Sequence, residues 1–425
     1  MTDLLDALLA LLVAGFLYLV ALQLIQRLTP PDDRTFLARI YSWTLALRYL
    51  VALILNMSAL DPMVAATFWG DSATYDAGGY QLARYWTGDI AYDPGLSRAI
   101  SGYGFYYVVA AVYWVFGRNQ LLVQFLNGAI GAVSVVVLYA ITRRLFSREA
   151  ARSAARLMAF FPGVIFWSTG MYKDPAILLC VALCMYAVIR LREQVSPSMV
   201  LLFVIAGLAL LTFRFYVFYF VAFAAFITAI FSVKGGKLRT VGAFLLLFLA
   251  VWGAFGLAVK SETLEQQSSY LTLERLQITR SDQAMWGKSA FAVEHDVSTP
   301  AGALRALPVG LMYLLFAPFP WMVAGLRQML AAPEMLVWYG LMPAFVRGLT
   351  DAARNRFREV LPILVFTFTL TAAYALMQGN IGTAYRQRTQ VTMFFFVLMG
   401  AGIAAKRRRK QLGRAPHVLN PAWQR

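Results

Sequence analysis

Asp71 and Asp76 stand in GDSATYDAGGY, just after an apolar run, and Asp174 stands in FWSTGMYKDP. Carboxylates kept at the ends of apolar helices are costly and are more often functional than ornamental. A carboxylate so placed can take a proton from an acceptor hydroxyl or amine, or hold a divalent cation that bridges a phosphate. Asp71 and Asp76 lie five residues apart beside Gly70, Gly78 and Gly79, and the segment reads as a loop that turns both toward one cavity. Tyr75, between them, joins the residues expected to contact substrate. If a metal is held here, Asp71 and Asp76 are its expected ligands. Helix capping is the competing reading, because Asp before Ser-Ala-Thr makes a good N-cap.

Cations accompany the acids. Lys173-Asp174-Pro175 reads as the outer end of one helix running into the first turn of the next. Asp174 is then either a reacting carboxylate beside Lys173 or a helix cap with Lys173 as counter-ion. Arg214, in LLTFRFYVFYF, falls between two short apolar runs and marks the outer boundary of a helical hairpin. It either grips a phosphate through its fork or snorkels to the headgroups. The segment from Gly379 to Gln390, GNIGTAYRQRTQ, adds Arg386 and Arg388 just before the final apolar run. A turn built from Gly379, Asn380 and Gly382 would set backbone N–H groups beside two guanidiniums, a clamp for phosphate or diphosphate.

Acids and guanidiniums on one face suit transfer of a sugar from a lipid phosphate. The leaving phosphate needs its developing charge stabilised, and the acceptor needs a base. A bundle of apolar helices supplies a groove for an isoprenoid tail. The expected partners are a polyprenyl-phosphate sugar donor, membrane lipids, and a glycan, lipid or protein acceptor. The chemistry calls for no cofactor other than an optional divalent cation.

The elements that must position these residues are membrane helices. Of the 425 residues 60% are hydrophobic and 14% charged, with mean hydropathy +0.62. A soluble domain cannot cover that much apolar surface, so the chain is expected to be an all-α polytopic membrane protein. The N-terminus carries Asp3 and Asp6 and no small-residue cleavage site, and reads as a first spanning helix rather than a signal peptide. Apolar runs start near residues 4, 37, 121, 152, 176, 198, 215, 239, 332, 359 and 389, about eleven in all.

The net charge of +17 raises the question of nucleic acid, and its distribution answers it. Alternating sides from an external N-terminus puts 24 Lys/Arg with 6 Asp/Glu on one side and 14 with 15 on the other. The positive-inside rule assigns the basic side, with Arg143-Arg144, Arg354, Arg356 and Lys406 to Lys410, to the cytoplasm. The charge is an orientation signal, not a nucleic-acid site. The expectation is a multi-pass protein of a bacterial inner membrane with its site facing the periplasm. Cys180 and Cys184 read as helix-packed thiols, and His295 and His417 are too few for a histidine-rich metal site.

One membrane domain is expected over residues 1–410, with a basic cytoplasmic tail at 411–425. Arg48 sits within a crossing helix and must pair, snorkel or face the bundle interior. The first long external loop spans 61–120 and holds Asp61, Asp71, Asp76, Asp89 and Asp93. Its apolar part, GYGFYYVVAAVYWVFG, is read as interfacial, because counting it as a span would invert every later loop. The second, 260–331, begins as a polar flap and ends in an apolar segment expected to break at Pro308, Pro318 and Pro320.

From Gly102 to Leu191, GYGFYYVVAAVYWVFG, LVQFLNGAIGAVSVVVLYAITRRLFS and FFPGVIFWSTGMYKDPAILL together resemble the GT-C superfamily. The nearer likeness is to the branch of protein O-mannosyltransferases and aminoarabinose transferases. The resemblance covers roughly Leu37 to Phe231 and implies a GT-C-like bundle. It makes Asp71 the first-loop catalytic or metal-linked aspartate, Asp76 the second acid, Asp174 the later acid, and Arg214 the cation facing the lipid phosphate. The chain departs from the pattern in its extra first helix, its D-x4-D spacing and the soluble C-terminal domain it lacks. Two alternatives stand beside transfer: a polymerase or ligase of lipid-linked glycans driven by the arginines, and a lipid-linked glycan transporter.

Overall fold

Backbone N–H and C=O groups inside a bilayer must pair within their own segment, so long apolar runs become helices. The computed structural model describes residues 2–58, 70–92, 103–231, 272–286, 296–322 and 326–412, with single positions at 242, 249 and 253. Among the described residues the chain is all-α and polytopic, built from α1 (Thr2–Leu28), α2 (Pro31–Ser58), α3 (Gly70–Thr87), α4 (Gly104–Phe116), α5 (Gln120–Leu145), α6 (Arg148–Phe160) and α7 (Pro162–Trp167). There follow α8 (Asp174–Glu193), α9 (Pro197–Phe231), α10 (Leu273–Trp286), α11 (Pro300–Phe316), α12 (Leu326–Asn355), α13 (Phe357–Met377) and α14 (Ile381–Leu412).

Seven of the described helices, α1, α2, α5, α8, α9, α13 and α14, are long and apolar enough to cross a membrane. The remaining apolar runs are modified by identifiable residues. The run near 152 divides because Pro162 disfavours helical backbone at Phe161 (φ −75°, ψ 119°), so α6 stops and α7 restarts. The runs near 198 and 215 share α9, whose helical path breaks at Arg214 (φ −158°, ψ 82°). The rings of Phe203 and Phe218 lie 6.5 Å apart, whereas fifteen residues of straight helix would separate them by about 22 Å. The helix therefore folds back on itself with Arg214 at the apex, as expected. The run near 332 lies in α12 and carries the buried Glu334. The run near 239, Asp61, Asp93, most of the flap and the tail from 413 lie outside the described residues.

Ion pairs gather the basic loops at one end of the bundle. Asp33 of α2 binds Arg143 (3.6 Å) and Arg148 (2.5 Å), and Arg144 binds Glu193 (2.7 Å). Arg356 donates to the Leu145 carbonyl at 3.2 Å, and Arg192 to that of Arg358 at 2.9 Å. At the core runs α14, with 83% of its most apolar stretch buried against 17% for the peripheral α1. Small residues allow this. A Cβ on Gly348 would fall 1.8 Å from the Leu398 carbonyl oxygen, so α12 and α14 meet backbone to backbone.

Two expectations about the external segments are corrected. The stretch around Asp71 and Asp76 is no loop but the start of α3, since Ser, Ala, Thr and Tyr carry the helix through Gly78 and Gly79. Pro308 does not break α11, which continues to Phe316 and ends ahead of Pro318. At 13 residues α4 is about 20 Å long, short of the ~30 Å apolar core of a bilayer. Its length fits the interfacial reading.

Candidate active site

Asp174 opens α8 with Pro175 in the first turn, but no side-chain hydrogen bond caps that helix. The carboxylate points elsewhere. The turn before it is fixed by Asn127 of α5, which donates to the carbonyls of Gly170 (2.7 Å) and Tyr172 (2.9 Å). Arg48 of α2 faces the bundle interior and donates from Nε to the Ser168 hydroxyl at 2.9 Å. Its Nη1 reaches the carbonyls of Thr44 and Ala159, both at 3.3 Å. Two helices, α2 and α5, thus hold the short turn that presents Lys173 and Asp174.

Arg386, on the second turn of α14, joins that turn to α3. Its Nε and Nη2 each lie 2.6 Å from Asp174 Oδ2, and Nη1 donates to Asp71 Oδ2. The guanidinium is boxed between Trp167 (5.3 Å to the ring centroid) and Tyr172 (4.8 Å). Arg214, at the apex of α9, brings Nη2 to 3.8 Å from Asp174 Oδ1 and lies 5.9 Å from the Tyr216 ring. Residues scattered over more than 300 positions therefore meet around one guanidinium.

Exposure divides the two acids. The Asp174 side chain is 2% exposed and the Asp71 side chain 59% exposed. Asp174 can orient the guanidiniums but cannot meet a bulky acceptor, whereas Asp71 stands at the rim where an acceptor can reach it. Among the described residues, Oδ1 of Asp174 and Nη1 of Arg214 are buried without a hydrogen-bond partner, so the floor of the cluster retains acceptor and donor capacity. Lys173 sits in the field of Arg214, Asp174, Arg386 and Asp71. Burial, reinforced by Arg214, holds its ammonium down at about 8. Tyr75, buried against Phe105 (5.0 Å) and Tyr106 (4.9 Å), shares this electrostatic environment, and burial raises its phenol above the ordinary value.

Asp76 and Arg388 do not join the cluster. Five residues of helix turn Asp76 about 140° away from Asp71. There it accepts from Tyr113 (2.6 Å) and pairs with Arg118 (2.5 Å), whose guanidinium covers Tyr80 at 4.7 Å. Arg388 fails for the same reason. Gly379 and Asn380 precede the helix, but α14 already begins at Ile381, so Arg386 and Arg388 are helical and project to different sides. Arg388 donates to the carbonyls of Leu315 (3.1 Å) and Ala317 (3.0 Å) and faces Glu334 at 3.7 Å. The expected two-arginine clamp is therefore a single arginine.

The metal expectation is corrected with the same geometry. Asp71 and Asp76, the expected ligand pair, lie on different faces of α3 and each is engaged by a guanidinium. Among the described residues no three His, Cys, Asp or Glu side chains gather as ligands. The donor set does not fit a cation held by these two aspartates.

Sequence reasoning missed Trp167, Tyr172, Asn127, Arg118 and Glu334. Glu334 carried a signal, an acid inside the apolar run AAPEMLVW. Trp167 and Tyr172 flank Asp174 in FWSTGMYKDP but look like ordinary interfacial aromatics until Arg386 is placed between them.

Part of the chain is similar to a known family. Residues 102–255 match the family model described as dolichyl-phosphate-mannose-protein mannosyltransferase. That stretch is similar to a GT-C-type mannosyltransferase family. The matched segment contains Lys173, Asp174 and Arg214 and ends well before Arg386, which the fold returns to it. No curated protein matches significantly. Among solved structures the chain is similar to the oligosaccharyltransferase of Archaeoglobus fulgidus tethered with an acceptor peptide (12% identity, TM-score 0.44, covering 88% of this chain and 50% of that one). It is also similar to the same organism's AglB in complex with an inhibitory peptide and a dolichol-phosphate (13%, 0.44, 88% and 51%). A third similar structure is that organism's enzyme in complex with Zn and sulfate (13%, 0.45, 87% and 50%). The chain spans about half the length of these proteins.

Proposed function

We propose that the chain is a membrane glycosyltransferase that moves a sugar from a polyprenyl-phosphate donor to a glycan, lipid or protein acceptor. The basic loops gathered around Asp33 mark the cytoplasmic end, which leaves the Asp71–Arg386–Asp174 cluster at the periplasmic face of a bacterial inner membrane. The observation that carries this reading is Arg386, a nearly buried guanidinium bridging an exposed and a sealed carboxylate.

The roles follow from exposure and charge. The donor phosphate enters beside Arg386, Arg214 and Lys173, and its lipid tail lies along the apolar flanks of the bundle. Asp174 keeps both guanidiniums aimed. Asp71 takes the proton from the acceptor hydroxyl as its oxygen bonds to the anomeric carbon. The bond from that carbon to the phosphate oxygen breaks, and the electron pair leaves on polyprenyl phosphate, whose added charge the guanidiniums neutralise. Attack by hydroxyl and departure of phosphate need no redox partner.

Purified protein in proteoliposomes, given a radiolabelled polyprenyl-phosphate sugar and membrane extract as acceptor source, tests the proposal. Label should pass to acceptor with release of polyprenyl phosphate. Transfer from a nucleotide sugar but not from the lipid-linked one would contradict it.

A further inference from the structure

The second arginine of the pair has a partner that no motif indicated. Glu334 of α12 is 2% exposed and reaches two other helices, α7 and α14, at once. Its Oε2 accepts from the Gly163 backbone N–H of α7 (2.5 Å) and from the Tyr385 hydroxyl of α14 (2.6 Å). Its Oε1 lies 3.7 Å from Nη2 of Arg388, also on α14. A Cβ on Gly163 would fall 2.8 Å from Glu334 Oε2 and from the Tyr385 hydroxyl oxygen, so any larger residue there would push these two side chains aside. Arg388 is sandwiched by Tyr385 (4.9 Å) and Trp338 (5.7 Å) and tied to the end of α11 through Leu315 and Ala317.

Both elements that Glu334 grips carry the catalytic cradle. The helix that opens at Pro162 ends at Trp167, one wall of the Arg386 box. Tyr385 and Arg388 flank Arg386 on α14. A charge buried in the membrane interior is retained where it has paired partners, and here the pairing fixes the rotation and height of α14 against α7. We propose that Glu334 is a positioning residue for the transfer reaction: it locks Arg386 against Trp167 and the two aspartates without touching substrate. This rests on the reading of Arg386 as the phosphate contact.

A double-mutant cycle separates positioning from general stability. Affinity for undecaprenyl phosphate is measured on the purified, folded full chain for wild type, Glu334→Gln, Arg386→Gln and the double variant. Glu334→Gln keeps a hydrogen-bond acceptor but loses the charge facing Arg388, and should weaken binding about tenfold through Arg386. Once Arg386 is gone the same change should have almost no further effect. Tyr385→Phe, which removes one hydrogen bond to Glu334 and little volume, repeats the test with a smaller loss if Glu334→Gln fails to fold. Losses that multiply in the double variant, or full affinity in both single changes at Glu334 and Tyr385, would overturn the positioning role. Full affinity in Arg386→Gln would instead overturn the assignment of the phosphate contact, and the positioning proposal with it.

Discussion

Arg386 and Arg388 are two residues apart on one helix, yet they belong to opposite kinds of site. Arg386 is anchored by the sealed Asp174 on one side and reaches the exposed Asp71 on the other, so it faces a place where a ligand can compete for it. Arg388 is 3% exposed, enclosed by Glu334, two carbonyl oxygens and the rings of Tyr385 and Trp338, with little room for a ligand to reach it. The same side chain is open to a ligand in the first setting and enclosed in the second. What separates them is whether the partner carboxylate is wet, not their spacing or their charge.

That contrast breaks most sharply at Arg386. Arg386→Ala should lower the transfer rate by about 100-fold or more, the scale of removing a preorganised cation from a developing charge. Initial rates with a polyprenyl-phosphate sugar check it. Glu334→Ala should instead act on the fold. It strands the Arg388 charge in the interior at roughly 3–5 kcal/mol, visible as a lower unfolding midpoint in detergent. Asp71→Ala, at an exposed carboxylate, should shift that midpoint little.

Lys173 sharpens the comparison through pH. Its folded-state value lies at about 8, below the free amine, so in the folded protein the charge is lost as pH rises through about 8. Undecaprenyl phosphate should then bind progressively more weakly above that pH, and Lys173→Met should remove the alkaline limb. Stability runs the other way: between about 8 and the free-lysine value near 10.5 the unfolded chain holds the extra proton, so folding is favoured as pH rises. The smallest effect belongs to Asp76. Its partner Arg118 is half exposed and can be solvated, so Asp76→Asn should leave transfer within about threefold and stability within about 1 kcal/mol.

Much of this was legible in the chain. Asp71, Asp174, Arg214 and Arg386 stand out because charge at the ends of apolar runs is costly, and topology alone sends all four to one side. The helical hairpin at Arg214 was legible for the same reason. What the chain concealed depends on helix phase. Asp76 and Arg388 looked like members of the site because their spacing was read in loops, and once α3 and α14 extend through them the 100° step per residue turns them away. Pro162 was legible as a breaker only after the apolar run around it was known to divide. The aromatic walls Trp167 and Tyr172 had no signal, since membrane interfaces are rich in such residues.

The proposed transfer depends most directly on Asp71 as the base beside Arg386. Single-turnover sugar transfer, measured on enzyme already loaded with polyprenyl-phosphate sugar, isolates that step from donor binding. Asp71→Asn should bind donor about as well as wild type while its chemical step slows by roughly 100-fold or more. An Asp71→Asn enzyme that transfers sugar at the wild-type rate would contradict it.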